Sequence, residues 1–142
     1  MRTHRKKITN ESVKRDAERL TQRLNALEKQ FDLGLITEKE CFTKRKRTLI
    51  RFNQRQILIA EGLLKDFNRC VRLQKLHLTR LKQDFLILLT STYATKEIQE
   101  RWEVAINGAD QEVEKLVKER EDIIAYIKRL KDMLDEIKKS KP

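Results

Sequence analysis

The sequence is poor in residues that interrupt helices. It has three glycines in 142 residues, and its single proline is the last residue, Pro142. Because proline breaks helices more strongly than any other residue, nothing before the terminus forces a break. Aromatic residues make up only 6% of the chain and charged residues 39%, which suits long helices better than a compact globule. The composition predicts long helices whose apolar faces need partners.

Metal-binding and catalytic residue patterns are also missing. Cys41 and Cys70 lie 29 residues apart and the chain has only two histidines, so no structural zinc site can be assembled. The glycines at 34, 62 and 108 are too scattered for a phosphate-binding loop, and no combination of serine, cysteine and histidine resembles an activated nucleophile. We therefore expect no enzymatic activity and no cofactor.

Long apolar runs are absent as well. No stretch approaches the ~18 apolar residues that cross a bilayer, and the first residues, MRTHRKK, lack the apolar core of a secretory signal. Together with the unpaired cysteines, this predicts an intracellular protein, cytoplasmic or cytoskeletal, with the nucleus as an alternative.

Positive charge is concentrated in the first part of the chain. Residues 1–82 carry 22 basic and 9 acidic side chains, a net charge of +13, whereas residues 83–142 carry 11 and 13, a net charge of −2. A basic surface favours polyanions, including acidic proteins, filaments, nucleic acid and anionic membranes. The first half is thus the candidate binding region.

Apolar residues recur at alternating spacings of three and four along three segments, the pattern of a heptad-repeat helix. Only Asn53, Gln74 and Arg120 interrupt the second and third stripes, and the two amides are expected to fix the register of the helices. The predicted coiled-coil interface comprises sixteen apolar residues: Leu20, Leu24, Leu27, Ile57, Leu64, Phe67, Val71, Leu78, Leu81, Trp102, Val113, Leu116, Ile123, Ile127, Leu130 and Leu134.

Two short breaks separate the stripes. At the first, Gly34 suits the left-handed conformation that ends a helix, and Thr37 with Glu40 forms a capping box. The second, residues 90–95, is rich in serine and threonine, which cap and turn helices. Gly62 and Gly108 fall inside helical segments, where each could mark a close helix crossing or a bend.

These signals predict an all-α fold: an elongated antiparallel coiled coil, or three-helix hairpin arrangement, with helices near 11–32, 38–90 and 96–139. We expect residues 1–10 to form a basic disordered tail that contains Arg2, Arg5, Lys6 and Lys7. Residues 11–90 would form a basic hairpin with a long central helix, and residues 91–142 a C-terminal helix in the same structural unit. A parallel dimer with continuous second and third helices is the rival topology.

The densest basic cluster lies at the start of the second helix and is the candidate docking site: Lys44, Arg45, Lys46, Arg47, Arg51 and Arg55. The plain interpretation is a solvated helix face, because charge-rich helices commonly have this composition. The functional interpretations are a nuclear import signal, phosphate contacts, or docking to an acidic filament surface.

Two functions remain open at this point. The first is a non-enzymatic coiled-coil adaptor or structural subunit, which associates with itself or another coiled-coil protein and docks through its basic half to an acidic protein or filament. The second is a nucleic-acid-binding helical protein whose cluster at 44–47 contacts phosphates. A membrane surface ranks third, because the basic half has no separate face of exposed aromatics.

One segment resembles a known family. Residues 24–49 contain Gly34-Leu35-Ile36-Thr37, then Glu40 and Phe42, then Lys44 to Lys46 and Leu49. This resembles the short helical hairpins called SHOCT domains, although here Cys41 separates the glutamate from the phenylalanine. The resemblance implies a hairpin that mediates oligomerisation. The rest of the chain looks like a generic coiled-coil subunit.

Overall fold

The computed structural model of the chain describes residues 10–142, apart from the side chain of Asn10. It contains three helices, α1 (Asn10–Asp32), α2 (Glu38–Leu89) and α3 (Lys96–Lys139), and residues 10–142 include no strand. The all-α prediction is confirmed, and every predicted helix end lies within one residue of the observed one. The basic tail expected at residues 1–10 falls outside the described residues, except that Asn10 begins α1.

The turn between α1 and α2 is fixed by local hydrogen bonds. Gly34 has φ +72°, and its N–H donates to the carbonyl of Phe31, while the N–H of Leu35 donates to the carbonyl of Gln30. These two bonds form a Schellman motif, which ends a helix on a left-handed residue. The N–H of Glu40 then donates to Thr37 Oγ1 at 3.1 Å and caps α2. The left-handed glycine and the threonine cap are confirmed, whereas Glu40 Oε1 accepts from the Thr37 hydroxyl at 3.2 Å and not from the Thr37 N–H of a full capping box.

The turn between α2 and α3 uses hydroxyl groups in place of glycine. Thr90 Oγ1 donates to the carbonyl of Ile87 at 2.7 Å, and Ser91 Oγ accepts from the N–H of Tyr93 at 3.1 Å. Thr95 caps α3, because its Oγ1 accepts from the N–H of Ile98 at 3.3 Å. At this turn, serine and threonine hydroxyls therefore make hydrogen bonds to backbone groups at the end of α2 and the start of α3.

The chain forms two compact units. The first joins the chain up to Ile59 with Ile127–Pro142, so it contains α1, the start of α2 and the end of α3. Here α1 runs antiparallel to α2: Asp16 pairs with Arg55, and the Cys41 sulfur lies 3.9 Å from the carbonyl oxygen of Leu27. Three helices therefore meet in this unit, as their apolar stripes predict.

The second unit, Ala60–Tyr126, is a hairpin of the end of α2 and the start of α3. The rings of Phe85 and Trp102 stack across it, with centroids 6.3 Å apart and planes at 8°. Trp102 is half-buried, in agreement with its place in the predicted helix interface. The antiparallel hairpin is formed within one chain, so α2 and α3 are not the continuous helices of the rival parallel topology.

The predicted stripe residues form the inner faces of the helices. All sixteen predicted interface residues are buried or half-buried, and the deepest apolar side chains are Ile57, Ala60, Val71, Leu78, Val113, Ile127 and Leu130. On α1, however, Val13 and Phe31 at the two ends of the first stripe are exposed. The left-handed supercoil of a coiled coil stays a prediction.

The glycines inside the helices do not mark close helix crossings. A Cβ atom built on Gly62 or Gly108 would meet no atom within 4 Å. The expectation of a close approach at these positions was wrong, because no neighbouring helix comes near the open side of either glycine. Only Gly34 has a conformation that requires glycine.

Candidate partner-docking surface

The predicted docking cluster lies on the part of α2 that belongs to the first unit. From Cys41 to Ala60 this helix carries six cationic side chains and no acidic one, between Glu40 and Glu61. Five of the six are exposed, and Lys46 is half-buried. The cluster is therefore accessible over most of its length, without acidic neighbours on its own helix to neutralise it.

Helical periodicity sorts these cations into two groups. Lys44, Arg47, Arg51 and Arg55 follow spacings of three, four and four, so they share one face of α2. Buried Ile57 and its stripe occupy the opposite face. We call the four cations together with Leu58 the α2 outer face. At 1.5 Å per residue the four cations span ~16 Å.

Leu58 extends the same face by three residues beyond Arg55 and is 70% exposed. A leucine in this position was not predicted to belong to the docking site, because it lies outside the basic cluster and off the apolar stripe. The signal that could have found it is its spacing of three from Arg55 and seven from Arg51. The outer face therefore combines positive charge with an apolar contact.

Two of the six cations bind other helices of the first unit. Lys46 Nζ donates to the carbonyl of Ser140 at 2.9 Å, just beyond the end of α3. Arg55 Nη2 lies 3.4 Å from Asp16 Oδ1 on α1. The end of a helix presents unpaired carbonyls, so a lysine there is favourable. These contacts hold α2 against both neighbours. Lys46 lies off the outer face because of its position on the helix, whereas Arg55 belongs to that face.

Arg45 points toward a different feature. It lines a small cleft of about 240 Å³ together with Glu38, Cys41, Phe42, Phe31 and Pro142. Its guanidinium is thus beside an apolar recess at the first turn, away from the outer face. Of the six predicted docking residues, the structure places four on one surface and separates Arg45 and Lys46 from it.

Two amide side chains are buried behind the outer face. Asn53 is 5% exposed and Gln56 8%, and neither Asn53 Nδ2 nor Gln56 Nε2 donates a hydrogen bond to any described residue. Burial of Asn53 on the second stripe was predicted, and Gln74 on the same stripe is half-buried. Gln56 was missed, because it lies beside the apolar stripe and not on it, three residues after Asn53 and one before Ile57. Buried unpaired amides cost stability, which fits a role in fixing register.

Other site chemistries have little support within residues 10–142. No group of three or more His, Cys, Asp and Glu side chains there is placed to hold a metal ion. Cys41 is half-buried and Cys70 exposed, and both are free thiols. None of the helices in this part of the chain is long and apolar enough to cross a membrane.

Comparison with known proteins gives no relative from which a function could be transferred. No protein-family model matches the chain, and neither a curated protein nor a solved structure matches it. The resemblance of residues 24–49 to SHOCT hairpins stays a prediction. Any functional assignment therefore has to come from the surfaces themselves.

Proposed function

We propose that this protein is a non-enzymatic helical adaptor, a structural subunit of a larger assembly, which docks through the α2 outer face to an acidic protein or filament surface. The observation that carries the proposal is the alignment of four cations and one exposed leucine on the side of α2 opposite its buried stripe. One face of such a helix packs on the other helices of its own chain, and its basic face is accessible to an acidic partner.

The geometry of the first unit supports a rigid docking surface. Lys46 and Arg55 attach α2 to the end of α3 and to α1. An exposed ion pair contributes little to stability on its own, about 0.2–1 kcal/mol, but contacts on two sides restrict rotation of the helix. A partner therefore meets cations whose spacing along the helix is already set, which lowers the entropy lost on binding.

Leu58 favours a protein partner over nucleic acid. Phosphate contacts need only cations and hydrogen-bond donors, whereas a leucine that is 70% exposed gains from an apolar surface. An acidic helix or filament with apolar residues between its carboxylates offers both. An intracellular, cytoskeletal setting is part of this proposal, since acidic filaments are the kind of partner that the outer face fits.

The test is a binding titration with two defined probes, poly-L-glutamate and a duplex DNA, at ~50 mM salt, where contacts between charges are least screened. The variant K44Q/R47Q/R51Q removes three charges from the outer face and leaves Arg55 paired with Asp16. We expect it to weaken poly-L-glutamate binding by about tenfold or more, since charge-assisted contacts contribute roughly 1 kcal/mol each at such surfaces.

A matched variant, K115Q/K118Q/K128Q, removes the same charge from exposed positions of α3. It is expected to bind poly-L-glutamate nearly as well as the unmodified chain. Equal loss in both variants would mean that only net charge matters and would overturn the docking face. Tight binding of the DNA without binding of poly-L-glutamate would replace this proposal by the nucleic-acid function.

A further inference from the structure

A cleft of about 510 Å³ opens on one side of the second unit, between the end of α2 and the start of α3. Its floor is apolar, formed by Phe85, Leu86, Leu89 and Ile106. Leu86 is 65% exposed and Leu89 is also exposed. Burial of exposed leucine side chains is favourable, so a partner that covers this cleft would gain from the contact.

The two rims of this cleft carry opposite charges. Lys82 lines it from α2 and Glu103 lines it from α3. Seven residues farther from the turn on each helix, the same heptad columns carry Lys75 and Asp110. All four side chains are exposed. One rim is therefore basic over two heptads and the other acidic over the same two heptads.

A surface with this arrangement is complementary to itself. A two-fold rotation about an axis parallel to the helices places α2 of one copy over α3 of the other at the same height along the hairpin. Within one chain, Phe85 stacks on Trp102, and Lys82 and Glu103 lie within one turn of this pair. Lys82 and Glu103 are therefore at about the same height along the hairpin. Each Lys82 then faces the Glu103 of the other copy, each Lys75 faces an Asp110, and the apolar floors meet.

We infer that this cleft is a homodimer surface, on which a second copy of the chain packs its own cleft to form a four-helix bundle from two hairpins. Flanking charges of this kind select partner and orientation in helical assemblies, and here the chain that supplies the matching signs is the same chain. The inference uses residues of the second unit only. It would give the proposed adaptor two docking faces per particle, but it does not depend on the docking partner.

The apolar part is tested by sedimentation equilibrium of the full chain over a micromolar concentration series. We expect a reversible monomer–dimer equilibrium for the unmodified chain. Leu86→Ser should weaken dimerisation by roughly tenfold or more, because the residue is buried twice in a two-fold contact. The matched control is Ile87→Ser: Ile87 is 69% exposed, but it is one residue farther along α2 and is not part of the cleft.

The predicted ion pairs between the two copies are tested by reversing the charges on one rim at a time. K75E/K82E places acid against acid between two copies, and E103K/D110K places base against base, so each variant alone should be monomeric at ~50 mM salt. An equimolar mixture should form a heterodimer, because every contact between the two variants then joins opposite charges. Circular dichroism of each variant checks that its helices are intact.

Charge pairs confined to one chain would give a different result. In that case each variant would lose stability, but mixing would restore nothing, and the inference would be wrong. It is equally overturned if the unmodified chain stays monomeric throughout the series, or if Leu86→Ser and Ile87→Ser dimerise alike. If the unmodified chain dimerised but did not bind poly-L-glutamate, the docking proposal alone would be wrong.

Discussion

Phe85 on α2 stacks on Trp102 of α3 with ring centroids 6.3 Å apart and planes nearly parallel, at 8°. Both rings are half-buried next to the turn that reverses the chain. Parallel offset rings attract each other beyond the gain from burial alone. This pair joins the two helices of the second unit close to their turn.

A double-mutant cycle measures that contact. Phe85→Leu and Trp102→Leu should each lower the free energy of unfolding, and the double variant should lose less than the sum. We expect a coupling of about 0.5–1.5 kcal/mol from denaturant titrations. Phe67, which lies on the same stripe more than two heptads away, serves as the reference: a Phe67→Leu, Trp102→Leu cycle should be additive. Additivity for Phe85 and Trp102 would show that the rings do not interact.

Gly34 and Gly62 are expected to respond in opposite ways to substitution by alanine. Gly34→Ala places a side chain at φ +72°, which costs about 1–2 kcal/mol in the left-handed region, so the free energy of unfolding should fall. Gly62→Ala meets no atom within 4 Å and improves helix propensity, so it should raise the free energy of unfolding by about 1 kcal/mol. Thermal unfolding of both variants checks the signs. A loss of stability on Gly62→Ala would reveal a close helix contact there.

The buried amide of Asn53 is predicted to cost stability. Its Nδ2 donates to no described residue, so Asn53→Leu should raise the free energy of unfolding by about 1–2 kcal/mol, because an unpaired donor is replaced by an apolar group of similar size. Chemical denaturation measures the change. Gln54→Leu, next to it on the exposed side, is the control and should alter stability by less than about 0.5 kcal/mol. A destabilised Asn53→Leu would mean that the amide is hydrogen bonded in solution.

Helix ends were predictable from the sequence because their causes are local. Thr37 and Thr95 each accept a hydrogen bond from the N–H three residues later, in the first turn of the helix that they cap. The end of α1 at Gly34 depends on backbone bonds that reach only to Gln30 and Phe31. The inner faces were predictable for a similar reason, since heptad spacing needs no knowledge of the partner helix. Both the helix ends and the inner faces depend on residues that are close together in the sequence.

The composition of the docking site was less predictable, because it depends on contacts between distant residues. Lys46 lies off the outer face and donates to the carbonyl of Ser140, 94 residues away in sequence. Gln56 is 8% exposed although it lies beside the apolar stripe. Helical periodicity separates Arg45 and Lys46 from Lys44 and Arg47, but it does not show which distant residue each of them contacts. Leu58 was overlooked because single exposed leucines are common on helices.

The most direct test of the docking surface is to map a bound acidic probe by NMR. Amide chemical shifts of the full chain are followed while poly-L-glutamate is added at ~50 mM salt. The docking proposal predicts that the largest changes lie between Lys44 and Leu58 and follow the outer-face positions. Its internal control is the later part of α2 from Lys65 to Arg80, which also carries five cations. Changes concentrated in that later segment, or equal in both, would contradict the proposal.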